Sequence, residues 1–156
     1  MERRNFYTSI SIRSKKGVKM RITLDEGAFM PVRKHPTDAG FDLRTPFTFS
    51  IAVRSRFFVN TGVHVELPPN TVGMIKSRSG LNKNKGVQCE GVIDENYTGP
   101  IGIVLYNHST EPVTFEKGDR IGQLVILPCV YTDIEIVDEL KETDRGEGGF
   151  GSTGVK

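Results

Sequence analysis

The chain has no tryptophan, two cysteines and three histidines in 156 residues. Cys89 and Cys129 have no second pair to join them, which excludes a disulfide scaffold and a CxxC-type zinc site and leaves two reduced, packed thiols. His35, His64 and His108 are scattered singly, a spacing that offers neither a metal cluster nor a triad. Long apolar runs are also missing. None approaches the roughly 20 residues of a spanning helix, so no membrane is expected. The basic start of the chain has no apolar core and no small-residue cleavage site, so it does not read as a secretory signal and points to a cytoplasmic protein.

What is present is ordinary in amount and unusual in kind. Hydrophobic residues make up 37% and charged residues 26%, a globular balance that fits one domain. Seventeen glycines and eight prolines disfavour a helix bundle and favour many short strands. The net charge of +2 is a local effect: residues 1–21 hold seven basic side chains (Arg3, Arg4, Arg13, Lys15, Lys16, Lys19 and Arg21) against Glu2, so the other 135 residues carry −4. A mildly acidic body argues against a nucleic-acid polymer as partner.

Apolar and polar residues alternate along most of the chain, the period of a half-buried strand. Met20-Ile22-Leu24 is one case; Phe47, Phe49, Ile51 and Val53 form another, followed after a short break by Val63, Val65 and Leu67. Segments 72–75, 86–93, 101–106, 113–115, 121–127 and 130–137 follow, separated by turn chemistry such as Pro68-Pro69-Asn70 and Lys117-Gly118-Asp119. About ten strands at this spacing predict an all-β, jelly-roll-like barrel or sandwich. Only 79–85 suits a helical turn. The expected division is a basic extension over 1–19, a β domain over 20–138 and a glycine-rich arm over 139–156.

Four constellations could carry chemistry. Gly146, Gly148 and Gly151 satisfy GxGxxG, but too little chain follows for the helix and acidic residue of a dinucleotide site, and no Lys precedes Ser152 as a P-loop requires. Residues 145–154 therefore read either as a solvated Gly/Ser tail or as an arm whose backbone N–H groups, Arg145 and Phe150 wrap a polyphosphate and cover a base. Arg78-Ser79-Gly80 is an ordinary loop or an anion cradle. The turn after Gly91-Val92-Ile93 carries Asp94, Glu95 and Tyr97; Asp94 is a solvated turn acid or a general base acting through water. Gln123 interrupts an apolar strand, and a buried amide needs partners, structural or ligand.

Taken together, His35-Pro36-Thr37-Asp38-Ala39-Gly40-Phe41-Asp42-Leu43, Arg78-Ser79-Gly80-Leu81, 91–99, Gly118-Asp119-Arg120-Ile121-Gly122-Gln123-Leu124 and 145–154 resemble, in order and spacing, the five motifs of the trimeric dUTPases. The resemblance implies a jelly-roll-like subunit of a homotrimer with shared active sites and an extended C-terminal arm. It further implies Mg²⁺-dependent hydrolysis of dUTP to dUMP and pyrophosphate, limiting uracil in DNA and supplying dUMP for thymidylate synthesis. By the same resemblance Asp94 activates the water that attacks the α-phosphorus, and Tyr97 lies under the deoxyribose and rejects a 2′-hydroxyl. Backbone around Gln88, Gly91, Val92 and Ile93 reads uracil. Arg78, Ser79, Gly80 and Gln123 contact phosphates, and Asp42 reaches Mg²⁺ through water. Arg145 pairs the phosphates, Phe150 stacks on uracil, and Gly151, Ser152 and Thr153 close over the γ-phosphate. Lys76-Ser77, Asn82 and Gln88 depart from the usual family residues. Two other readings share the fold, a dCTP deaminase and a binding or regulatory protein that has lost or supplemented catalysis.

Overall fold

A computed structural model describes residues 19–149. Nine strands and one short helix make it almost entirely β: β1 (Arg21–Leu24), β2 (Gly40–Arg44), β3 (Phe49–Ile51), β4 (Arg56–Glu66), β5 (Thr71–Lys76), α1 (Ser79–Lys85), β6 (Val87–Ile93), β7 (Pro100–Asn107), β8 (Val113–Phe115) and β9 (Arg120–Pro128). Seven strands form one antiparallel sheet in the order β1-β4-β7-β6-β5-β9-β2, and β3 pairs with β8 across the core. The sheet curls into a jelly-roll-like half-barrel, and its inward residues alternate as the sequence pattern requires.

The core joins residues from both layers. Val59, Val63 and Val65 of β4, Ile101, Ile103 and Leu105 of β7, and Ile121 and Leu124 of β9 are buried with Leu43 and Ile75. Phe49 stacks on Phe57 at 4.5 Å and on Phe115 at 5.2 Å, closing the β3–β8 layer onto the sheet. Such pairs contribute about 0.5–1.5 kcal/mol each beyond their burial. Cys89 is fully packed, its thiol pushed up by burial, and both cysteines are free.

Three elements differ from the sequence pattern. The break before Val63 is not a turn: β4 runs unbroken from Arg56, and Asn60-Thr61-Gly62 is a bulge within it. Gly62 takes φ +67°, its N–H donating to the Asn60 side-chain oxygen, so a strand irregularity carries turn-like residues. β2 is hidden in the sequence because its motif residues do not alternate. Segment 130–137 alternates yet belongs to no strand; β9 ends at Pro128, and Ile134 and Ile136 are 93% and 96% exposed. A strand pattern needs a partner, and none lies beside this segment among the described residues.

α1 forms where expected. Gly86 ends it in the left-handed region at φ +62°, donating its N–H to the last carbonyls, while Lys83 and Lys85 suit the helix C-terminus.

Candidate active site

Two groups of side chains are built at opposite ends of the β5–β6 hairpin. The first gathers where β2, β9 and the β5–α1 junction meet. Register places Gln123 beside Asp42 on one side and Lys76 on the other. Its amide N–H donates to the Ser77 carbonyl at 3.1 Å, which gives the half-buried amide the partner it needs. The rest of that side chain lies over Gly40, where an added Cβ would come 2.5 Å from the Gln123 carbonyl oxygen. Gly40→Ala should therefore push Gln123 out of place and, if this cleft takes a polyanionic substrate, raise its KM about two- to tenfold, the weight of one net hydrogen bond, while the fold persists. Steady-state kinetics beside a thermal melt checks this; an unchanged KM contradicts it.

Asp42 is the hub of this group. Arg78 donates from Nε to its Oδ1 at 2.8 Å, and Arg120 donates from Nη1 to its Oδ2 at 3.1 Å. With its side chain only 15% exposed, Asp42 locks both guanidinium groups in place. Ser79 and Gly80 open α1 beside Arg78, and Lys34, His35 and Asp38 complete the rim of a cleft of about 320 Å³. Asp38 is held below the usual carboxylate range, chiefly by the His35 backbone N–H. Two fixed guanidinium groups, Arg78 and Arg120, with the exposed Lys34 on the rim, stand against two carboxylates and suit a polyanion. Sequence reasoning gave Lys34 and Arg120 no role; Arg120 lies within a recognised motif, but only the fold reveals that it shares Asp42 with Arg78.

The second group occupies the turn after β6. The Tyr97 N–H donates to the Asp94 carbonyl at 3.0 Å, and the Tyr97 hydroxyl donates to the Pro100 carbonyl at 3.0 Å, laying the ring across Gly99. A Cβ at Gly99 would meet the Tyr97 hydroxyl at 2.5 Å, so that position needs glycine. Asp94 is exposed and lines a cavity of about 400 Å³ with Glu95, Cys129 and Tyr131. The Glu95 carboxylate accepts from the Tyr131 hydroxyl at 2.6 Å and the Asn70 N–H at 2.8 Å, and the first bond pushes the Tyr131 phenol up to about 12.

Between the groups runs β6. Gln88 donates to the Asn82 side chain at 3.3 Å. The ladder joining β6 to β7 stops at Glu90, although β6 stays paired with β5 as far as Ile93. Gly91, Val92 and Ile93 thus present one backbone edge without a strand partner among the described residues. Gly91 packs on Ile75, where a Cβ would come within 3.3 Å.

One chain does not unite the two groups. Ser77 is fastened to Cys89 by hydrogen bonds of 3.0 and 2.8 Å, and Asp94 lies five residues beyond Cys89, just past the end of β6. At strand rise that is roughly 16 Å from the Arg78 end. Arg145 donates to Gly148 within its own turn at 2.8 Å and contacts neither group. Phe150, Gly151, Ser152 and Thr153 lie outside the described residues.

The donor set decides what metal could be held. Among the described residues no three His, Cys, Asp or Glu side chains converge, and both Asp42 oxygens already accept from arginine. A protein-only cage is therefore not built. A Mg²⁺ ion here would draw most of its ligands from water and phosphate oxygens, as that ion commonly does.

The dUTPase family model matches residues 26–154. The deoxyuridine 5′-triphosphate nucleotidohydrolase of Anaeromyxobacter sp. (strain Fw109-5) is 44% identical over 142 residues, spanning 88% of this chain and 97% of that one. Its counterpart from Arabidopsis thaliana is 41% identical over 133 residues, spanning 85% and 80%. The Staphylococcus bacteriophage 80alpha dUTPase, solved with dUPNHPP, superimposes with a TM-score of 0.83 at 30% identity, covering 88% of this chain and 99% of that one. A mutant dUTPase from phage phi11 of S. aureus, described with a structural Mg(II) ion, gives a TM-score of 0.72 at 27% identity, covering 78% and 98%.

Proposed function

Because the chain belongs to the dUTPase family, we propose that it hydrolyses dUTP to dUMP and pyrophosphate in a Mg²⁺-dependent reaction, in the cytoplasm and on free nucleotide. The observation that carries this reading is the division of labour along one hairpin. A cationic cleft suited to polyphosphate stands at one end, an open backbone edge suited to a base in the middle, and an exposed carboxylate beside an aromatic ring at the other end.

Asp94 orients a water and takes its proton as the oxygen attacks the α-phosphorus. The Tyr97 ring, held across Gly99, packs against the deoxyribose and leaves no room for a 2′-hydroxyl. The unpaired edge of Gly91, Val92 and Ile93, with Gln88 nearby, reads uracil as a pairing base does. Arg78, Ser79, Gly80 and Gln123 bind phosphate oxygens. Asp42 would hold a Mg²⁺ ion through water, and the ion would supply neutralisation of phosphate charge. The arm adds Arg145 on the phosphates, Phe150 over the base, and Gly151, Ser152 and Thr153 around the γ-phosphate. The products give the reaction its place: dUTP is removed before uracil enters DNA, and dUMP is supplied for thymidylate synthesis.

Roughly 16 Å between Asp94 and the Arg78 end supports sites shared between subunits of a homotrimer. So does the strip of Val130, Ile134, Ile136 and Leu140, exposed after β9 and in need of cover. Mixed oligomers test the sharing. Asp94→Asn and Arg78→Ala subunits, each crippled alone, should recover activity at about a quarter of sites when refolded together, since each neighbour supplies the missing half. No recovery contradicts shared sites. For the reaction itself, dUMP and pyrophosphate should appear in equal amounts, whereas ammonia released from dCTP would mark a deaminase.

A further inference from the structure

His64 sits on β4 opposite Pro100, where β4 rejoins β7 after its bulge. Its Nδ1 lies 2.8 Å from the Thr98 carbonyl oxygen and its Nε2 lies 3.1 Å from Asp25 Oδ1. Both partners only accept, so satisfying both requires a proton on each ring nitrogen, the imidazolium form. Asp25, just beyond β1, is itself anchored by its N–H to the Gly62 carbonyl at 2.8 Å. Thr98 belongs to the turn that carries Asp94 and Tyr97.

That turn has few other restraints. The β6–β7 ladder ends at Glu90, and Glu95 fastens only the near end of the turn, accepting from the Asn70 N–H and the Tyr131 hydroxyl; over 96–99 the remaining bonds run within the turn or to Pro100. We propose that His64, as imidazolium, is a positioning residue that clamps the 94–99 turn to β4 and to the end of β1, and so fixes where Tyr97 and Asp94 meet the nucleotide. The inference rests on the site roles given above for Asp94 and Tyr97.

The charges around His64 are few. On β1 and β4, Arg21 and Glu66 flank it and pair with each other; Asp25 is the carboxylate facing it, and from the turn side it meets the Thr98 carbonyl. The bond to Thr98 first, and Asp25 after it, push the imidazole above its usual value against the opposing effect of burial. A raised value in the folded state means the clamp is complete at low pH and is lost as pH rises through the folded value. Neutral imidazole keeps one donor and must release one partner.

Three proteins test the clamp: the parent, His64→Ala, which removes both bonds, and His64→Asn, whose amide stands where Nδ1 stood and holds Thr98 without titrating. In the nucleotide-free protein, amides of 96–99, corrected for intrinsic exchange, should exchange about two- to tenfold faster in His64→Ala, the weight of a net hydrogen bond. Parent protection should fall as the His64 ring titrates by NMR; His64→Asn should restore protection and abolish its pH dependence. With nucleotide, His64→Ala should raise KM for dUTP and narrow the preference for dUTP over UTP by a similar factor. Unchanged exchange and an unchanged pH profile in His64→Ala overturn the proposal. A protein that fails to hydrolyse dUTP yet shows the exchange and titration changes would refute the dUTPase reading and leave the clamp standing.

Discussion

Replacing Asp94 by asparagine is expected to lower kcat for dUTP by about 10²- to 10⁴-fold, the usual contribution of a positioned general base. Asparagine matches the shape of aspartate and still offers an oxygen to a water, but it cannot take the water's proton. The substitution should leave the fold alone, because the Asp94 side chain is exposed and makes no hydrogen bond or ion pair among the described residues; only its backbone carbonyl holds the turn. Binding of a non-hydrolysable dUTP analogue should be retained, since the cationic cleft proposed to bind phosphate lies at the other end of the hairpin. Loss of kcat with retained affinity separates a base from a binding residue. A kcat within tenfold of the parent would remove Asp94 from the chemistry.

Deleting 145–156 should have the second large effect. The arm is proposed to supply one guanidinium to the phosphates, an aromatic ring to the base and hydroxyls to the γ-phosphate. A charge-assisted hydrogen bond contributes about 1.5–3 kcal/mol and a base stack about 1–3 kcal/mol, which together predict a fall in kcat/KM of roughly 10²- to 10⁴-fold. Stability should barely change. The last core residue is Leu124, the last strand ends at Pro128, and 141–147 is exposed throughout, so the deletion removes no packing among the described residues. Circular dichroism and a thermal melt matching the parent, beside the lost activity, would bear this out. Global unfolding would show that the arm is structural.

Much of this architecture is legible in the sequence because burial imposes a period of two. β5, β6, β7, β8 and β9 fall within a residue or two of the alternating segments, and 79–85 is helical as its interrupted pattern suggests. Where legibility fails, the cause is local. Gly62 looks like a turn because a bulge uses the same left-handed backbone. β2 hides among residues chosen for chemistry: Asp42 faces two arginines where a periodic strand would place an apolar or freely solvated side chain. Segment 130–137 has the pattern of a strand without a neighbour to pair with, and pairing is not written in the segment itself.

The site divides the same way. Asp42, Arg78, Ser79, Gly80 and Gln123 could be singled out by motif, and the fold gathers them into one cleft. Their geometry was not legible: that Arg120 shares Asp42 with Arg78, that Gly40 is glycine to admit Gln123, or that Gly99 is glycine to admit Tyr97 depends on register between strands far apart in sequence. His64 is the clearest case. Its partners are 34 and 39 residues away, so a lone histidine in a strand gives no sign that it grips the turn bearing Asp94.

The most direct test of the central claim is a comparison of pyrophosphate release from dUTP, UTP, dTTP and dCTP, each with Mg²⁺ and with Mg²⁺ chelated. Rapid release is expected from dUTP with Mg²⁺, with little from the other three nucleotides and a marked drop on chelation. Equal turnover of UTP and dUTP, or no release from dUTP, would contradict it.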